Sequence, residues 1–536
     1  MSVYRSNAGR LGRAVKPTAE IVTVPASVGG VNALDALIAM PPQDCIYTYN
    51  IMPSEDGLRL RRGYAEWATG VGTTHTEVRS ILPFEGKSVS NDKLFAVTAD
   101  GIYDITSSGD TGATAPVEAF SNNGNDAGYM VWTEMTLDTA VQVMFAACPE
   151  NGLRMWTEGV GWTTPSFTGP TVANIAYAAV HKQRLWTVEK GSADAWYSPI
   201  DSIAGAMTKF TFGAKFTYGG ALMGLWSWTI DGGAGVDDFL VAISRGGDVL
   251  VFQGSDPSLA DFALVGSWFI GEVPDSRKIV SQYGGEMYIL STFGVTSLRD
   301  LLQGVSADSA KASASAKINR ALREQVVSKK STYGWSIQNY PADGFLQVIE
   351  PYTVATAALQ YNQNLLTKAW GYWESVPAKC ADTWADKYFI GSSDGKVFQY
   401  TGTLDNTTLS AAGEAIPFRT LTSFQAQGNH GTNTAVGLIR VLSTAAGQST
   451  YNLKAVYDYN IYDTAGYPAS ATSAGGSLWD AAKWDAGVWD APIAGEHVLQ
   501  GGNDMGRVVA IAMRGESKSR MTVLGWDVTI KKGGFF

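Results

Sequence analysis

The chain has 536 residues, of which 45% are hydrophobic and 17% charged, with 59 glycines, 23 tyrosines, 20 phenylalanines and 17 tryptophans. It is too long for one small core, too apolar for a disordered chain, and as rich in turn formers and aromatics as all-β proteins are. A formal net charge of −10 argues against a general nucleic-acid binder, which needs a basic face to release phosphate counterions.

Residues 1–20 carry Arg5, Arg10, Arg13 and Lys16 with no apolar segment behind them. This is the pattern of a basic extended arm, either ordered against a partner or trailing free, rather than of a secretory signal. No run of 18 apolar residues occurs, so no membrane span is expected. Cys45, Cys148 and Cys380 are odd in number and far apart. They read as buried free thiols in a reducing compartment, not as disulfides or a zinc site.

The stretch 25–67, PASVGGVNALDALIAMPPQDCIYTYNIMPSEDGLRLRRGYAEW, reads as a leading hairpin. Residues 45–51 form one strand candidate, 53–57 the turn, and 58–64 a second strand. In the second strand Leu58 and Leu60 alternate with Arg59 and Arg61, and Arg62 follows, giving one apolar and one basic face. The arginines either meet an acidic neighbour or guard a solvated edge.

Gly29, Gly30, Asn32, Pro41, Pro42, Asn50, Pro53, Leu58, Arg59, Arg61, Arg62, Gly63, Tyr64 and Trp67 together resemble the signature of the tail nozzle (tail hub) proteins of short-tailed bacteriophages. The resemblance covers these forty-odd residues; elsewhere it is architectural. It implies a β-propeller subunit in a six-fold ring around a DNA channel at the distal end of the tail tube.

From 71 to 410 the chain repeats one theme. Segments 93–104, 141–156, 184–197, 239–254, 286–298 and 387–400 each hold two alternating runs around a polar or glycine corner, and 345–361 is a looser copy with Pro351 in the corner. About seven hairpins spaced on the order of 40–60 residues predict propeller blades of three or four strands. Tyr103, Trp156, Trp196, Phe252 and Phe398 are expected to fill the wedges between blades.

One insertion, about 306–328, has helical composition. Ser306 or Asp308 is the expected N-cap, Ile318, Leu322 and Val326 form an apolar stripe, and Lys311, Lys317, Arg320 and Arg323 a basic surface. It reads either as a docking insert or as a helix covering a sheet edge. After residue 411 the repeat stops, and strand candidates at 437–442, 451–457, 508–513 and 521–531 suggest a sandwich-like β domain. Within it Trp479, Trp484 and Trp489 recur every five residues, each followed by aspartate. That spacing fits neither helix nor strand, so it reads as a looped tryptophan ladder, either anchoring its own loop or contacting a neighbour or a sugar.

No catalytic constellation emerges. His75, His181, His430 and His497 form no H-E-x-x-H pair, and there is no Walker loop or calcium loop. The turn 392–398, SSDGKVF, resembles the fold-stabilising turn of sialidase-type propellers.

The expected architecture is therefore all-β: an arm and hairpin over 1–70, a six- or seven-bladed propeller over 71–410, and a C-terminal β domain over 411–536. The expected role is structural rather than enzymatic, with no cofactor. By the family resemblance it is a virion protein made in the host cytoplasm, assembled as a homo-oligomeric ring with tail adaptor, tube and fibre partners. The ring passes DNA without specific binding, and the host surface is a further candidate partner. Arg59, Arg61, Arg62, Lys317, Arg320, Arg323, Trp479, Trp484 and Trp489 are the candidate contact residues. The rival readings are a receptor- or glycan-binding tail protein using the tryptophan loop, and a propeller glycosidase.

Overall fold

The computed structural model describes residues 19–111, 115–231, 236–304, 313–352, 359–408, 411–426, 432–445, 447, 449–461, 471–472, 499–501 and 505–535. All seven hairpins form. In the segment 239–254 the strands Val236–Ser244 and Asp248–Gln253 pair antiparallel around Arg245–Gly247. Gly247 has φ +95°, and a Cβ there would lie 2.2 Å from the Gly271 carbonyl oxygen, so the corner requires glycine.

Each hairpin lies within a blade, and the described residues make seven blades. The first is Ser80–Phe84, Lys93–Val97, Gly101–Asp104 and Glu118–Ala119; the second Val131–Thr136, Gln142–Cys148, Gly152–Thr157 and Gly161–Thr163. The third is Ile175–His181, Arg184–Glu189, Ala195–Tyr197 and Thr208–Phe210; the fourth adds Leu222–Asp231 and Ala263–Phe269 to the hairpin just described. The fifth has three strands, Val280–Tyr283, Glu286–Ser291 and Gly294–Ser297, and the sixth four, Ser336–Tyr340, Phe345–Ile349, Leu359–Asn364 and Trp370–Glu374. The seventh joins Cys380–Trp384, Lys387–Gly391 and Val397–Tyr400 to Tyr64–Thr69 from the other end of the chain. That last pairing closes the ring, so no separate fastening is needed between the first and last blades.

The alternation of the hairpins does more than create one apolar face. In the fourth blade Val241, Ile243, Val249 and Val251 join one core cluster, while Leu240, Ala242, Leu250 and Phe252 join another. The first blade divides likewise, with Leu94 and Ala96 facing the seventh blade and Phe95 and Val97 facing the second. Each blade is packed on both sides, which is why its strands read as nearly continuous apolar runs. Of the expected wedge aromatics, Tyr103, Phe252 and Phe398 are buried, whereas Trp156 and Trp196 are half-buried.

The helix is shorter than its composition suggests. Residues 305–312, which include the expected caps Ser306 and Asp308, lie outside the described residues. Ser313 bridges Thr296 on the outer side of the fifth blade, a 3₁₀ turn spans Ala316–Ile318, and the α-helix runs Asn319–Ser328. The stripe is as expected: Ile318, Leu322 and Val326 are fully buried in the core shared by the fourth, fifth and sixth blades. The helix covers the edge where this three-stranded blade lacks an outer strand.

The C-terminal strands Ile416–Thr422, Thr432–Ala445, Ser449–Tyr457, Val509–Ser517 and Met521–Phe535 form a two-sheet sandwich, but not alone. Glu20–Pro25, Ile51–Pro53 and Leu58–Leu60 belong to one sheet and Asp44–Tyr49 to the other. Ile51, Leu58 and Leu60 share the sandwich core with Val441, Met513 and Trp526. The expected second strand of the hairpin splits into Leu58–Leu60 and Tyr64–Thr69, because residues 61–63 carry the chain out of the sandwich and into the seventh blade.

Candidate functional site

The stretch 25–67 builds the junction between sandwich and propeller. Asn32 accepts from the backbone N–H groups of Leu34 and Asp35 at 3.0 Å each, and its amide donates to Asp44 at 2.6 Å. Asp44, with no side-chain exposure, takes the Lys317 ammonium at 2.7 Å, and Lys317 also donates to the Gly29 carbonyl at 3.1 Å. The helix is thereby tied to the N-terminal stretch.

Asn50 has φ +60°, a conformation asparagine tolerates. Its amide donates to the Pro417 carbonyl at 2.9 Å, and its side-chain oxygen accepts from the Glu374 N–H and Arg61 Nε, both at 3.0 Å. The Arg61 guanidinium is fully buried and forks onto Asp405 at 2.7 and 2.6 Å, with a further bond to the Arg62 carbonyl at 2.9 Å.

The placement of Arg61 differs from the basic face expected for it. Alternation would put it beside exposed Arg59, but the strand ends at Leu60 and the turn swings the guanidinium inward. Gly63 follows where nothing larger fits, since a Cβ would stand 1.8 Å from the Leu404 carbonyl oxygen. Tyr64 is buried, and Trp67 donates its indole N–H to the Ile105 carbonyl at 2.8 Å.

The other candidates scatter. Arg59 is exposed and meets only Asp56, at 3.3 Å, among the described ion pairs. Arg62 reaches Asp343 at 3.2 Å, a carboxylate shared with Arg520 at 3.3 Å. Arg320 is exposed, and Arg323 is exposed with its Nε on the Thr292 carbonyl at 2.9 Å and its guanidinium over Phe293. Trp479, Trp484 and Trp489 lie outside the described residues. Beside the junction, Asp56, Arg59, Tyr283, Asp343 and Leu366 border an open cleft of about 620 Å³.

The propeller axis is crossed by side chains. Trp132 of the second blade donates its indole N–H to Asp382 of the seventh at 2.9 Å, past the intervening first blade, and Lys278 stands 3.9 Å from the same carboxylate. Burial pushes the Asp382 carboxyl up. Sequence reasoning did not single out this axial cluster. A signal existed, because Arg79, Lys278 and Lys379 each lie just before the first strand of a blade.

Two histidines have nearby polar partners. His75 Nδ1 lies 2.7 Å from Asp100; burial works to raise that carboxyl, but hydrogen bonds from His75, Thr74 and Thr73 outweigh it and hold it well below the usual range. His181 Nδ1 lies 2.9 Å from Ser227 Oγ, while its buried Nε2 has no hydrogen-bond partner among the described residues. A serine–histidine pair needs a carboxylate on the second ring nitrogen to hold the base in place, and none is there. Among the described residues no three His, Cys, Asp or Glu side chains gather as a metal site. The turn at Ser392 is built for stability, with Ser392 Oγ donating to the Lys396 carbonyl at 2.8 Å and accepting its N–H at 3.1 Å. Cys45, Cys148 and Cys380 are buried and free.

No family model and no curated protein sequence matches the chain. Among solved structures it is similar to Chaetomium thermophilum Raptor, at 11% identity and TM-score 0.36, covering 64% of this chain and 29% of Raptor. It is also similar to YCF48 bound to D1 peptide, at 11% identity and TM-score 0.29, covering 50% of this chain and 96% of that one. A third is BBS1N in complex with ARL6DN, at 8% identity and TM-score 0.28, covering 45% of this chain and 74% of that one. At these scores the likenesses carry no argument about function.

Proposed function

We propose that this chain is a structural subunit of the distal nozzle of a short bacteriophage tail. Its copies form a ring, six-fold by the family resemblance, that closes the DNA channel before ejection and conducts DNA during it. One observation carries the reading: the residues that resemble the nozzle signature, Asn32, Asn50, Arg61 and Gly63 among them, are those that join the sandwich to the propeller. The resemblance therefore rests on the architecture of the subunit rather than on a stray surface loop.

In this reading DNA passes between subunits, since side chains cross the propeller's own axis. A net charge of −10 suits such a passage, because duplex phosphates would gain few counterion-releasing contacts with an acidic wall. Of the candidate cations, Arg59, Arg320 and Arg323 are exposed and are assigned to subunit contacts; Arg61 is committed to Asp405. The remaining partners are tail adaptor, tube and fibre proteins, and the location is the virion.

The test is the mass of the purified protein in solution, followed by negative-stain imaging alone and after mixing with a tail-tube adaptor. Rings with a central hole are expected, and reversing the charge of Arg59, Arg320 and Arg323 together should shift them toward monomer. A strict monomer that joins no tail complex refutes the proposal.

A further inference from the structure

We propose that the propeller axis holds one monovalent inorganic anion of halide size, bound by Arg277, Lys278 and Ser336. This inference stands independently of the nozzle reading. A small cavity of about 10 Å³ opens at the axis, lined by these three residues together with Arg79, Tyr129 and Lys379. That is room for one water-sized particle and too little for a tetrahedral oxyanion.

Three polar atoms of its lining residues are buried and have no hydrogen-bond partner among the described residues: Arg277 Nε, Lys278 Nζ and Ser336 Oγ. Arg277 is 7% exposed and Ser336 5%. Arg277 Nη1 donates to the Leu222 carbonyl, at 2.9 Å, and to the Met223 carbonyl, which anchors the guanidinium. Its free N–H is therefore fixed in direction.

The local charges favour an anion over water. Arg79, Arg277, Lys278 and Lys379 stand against three carboxylates, Glu77, Asp382 and Asp275. Glu77 is occupied by Arg79 at 3.1 Å and Lys379 at 2.8 Å. Asp382 takes the Trp132 and Thr383 N–H groups at 2.9 Å each and lies 3.9 Å from the Lys278 ammonium, beyond hydrogen-bond reach. Asp275, two residues before Arg277, is taken by Arg245 at 2.6 Å. Two cations thus lack a full partner in a site shielded from solvent, where an unpaired buried charge is costly. Two of the three free groups are cationic N–H donors and the third is a hydroxyl that can donate. A water molecule would have to orient its own protons away from them, whereas a halide accepts from all three. Bound there, the ion adds a side-chain link between the neighbouring fifth and sixth blades, whose lead-in segments already bridge at Lys278 and Ser336.

The experiment combines anomalous diffraction with thermal unfolding of the full chain. Crystals grown in sodium bromide should show a bromine anomalous peak within hydrogen-bond reach of the three atoms. At constant ionic strength, Tm should be roughly 2–4 °C higher in chloride or bromide than in gluconate and should saturate with concentration, as binding to the folded state alone requires. Lys278→Met should keep the circular dichroism spectrum and lose the increment; if it does not fold, Ser336→Ala serves in its place and should weaken it. An axial site without anomalous signal, a Tm indifferent to the anion, or an increment that survives in a folded Lys278→Met overturns the proposal.

Discussion

Replacing Arg61 with methionine tests whether the junction is held by one buried ion pair. The Arg61 side chain is 0% exposed and that of Asp405 9%, and two hydrogen bonds of 2.7 and 2.6 Å join them. Removing the guanidinium strands a buried carboxylate, which costs roughly 3–5 kcal/mol. The Asn50 side-chain oxygen keeps the Glu374 N–H at 3.0 Å and so is not orphaned; the Arg62 carbonyl loses a donor, adding about 1 kcal/mol. Arg61→Lys keeps the charge but cannot fork onto both carboxylate oxygens, and should fall between methionine and wild type. Arg61→Met with Asp405→Leu removes both charges and should recover at least ~2 kcal/mol relative to the sum of the single changes. Urea unfolding followed by tryptophan fluorescence and far-ultraviolet circular dichroism reads the cycle. In Arg61→Met the two signals should cease to coincide as the sandwich uncouples from the propeller. A single-variant cost below about 1 kcal/mol, or strict additivity in the cycle, refutes the reasoning.

Other consequences follow from the same geometry. Gly63→Ala places a methyl 1.8 Å from the Leu404 carbonyl oxygen; the backbone must move, and a stability loss above roughly 2 kcal/mol or insoluble expression is expected, read by thermal unfolding against Gly437→Ala, where the nearest atom to a Cβ is 3.6 Å away, as a control for space. His181 is buried and its imidazolium is disfavoured, first by desolvation and then by Lys182, so its pKa is pushed down to about 4. The unfolded chain then binds the proton more readily, and stability should fall as pH drops from 6.5 toward 4, by up to roughly 3 kcal/mol; His181→Gln should flatten that limb. Glu134 runs the other way, since burial raises its carboxyl to about 7. The folded state holds that proton above the unfolded pKa, so stability should decline between about pH 4.5 and 7, by roughly 1–2 kcal/mol once partial exposure is allowed for, and Glu134→Gln should remove the decline.

Local sequence determined the elements of the propeller. Every blade contains a hairpin legible as two alternating runs around a corner, because period-two alternation and glycine or polar corners are properties of adjacent residues. The stripe Ile318, Leu322 and Val326 was legible for the same reason, at helical period. Tertiary structure alone decided what those elements meet. Both faces of the strand holding Leu240 and Val241 are buried because a neighbouring blade lies on either side. Arg61 turns inward because the strand ends at Leu60 and Asp405, 344 residues away, is waiting there. Tyr64–Thr69 completes the seventh blade and Glu20–Pro25 an edge of the sandwich, pairings between distant parts of the chain that no local pattern encodes. The axial cluster of Trp132, Lys278 and Asp382 exists for the same reason: seven blades must close in a circle before three residues so far apart in sequence share one point in space.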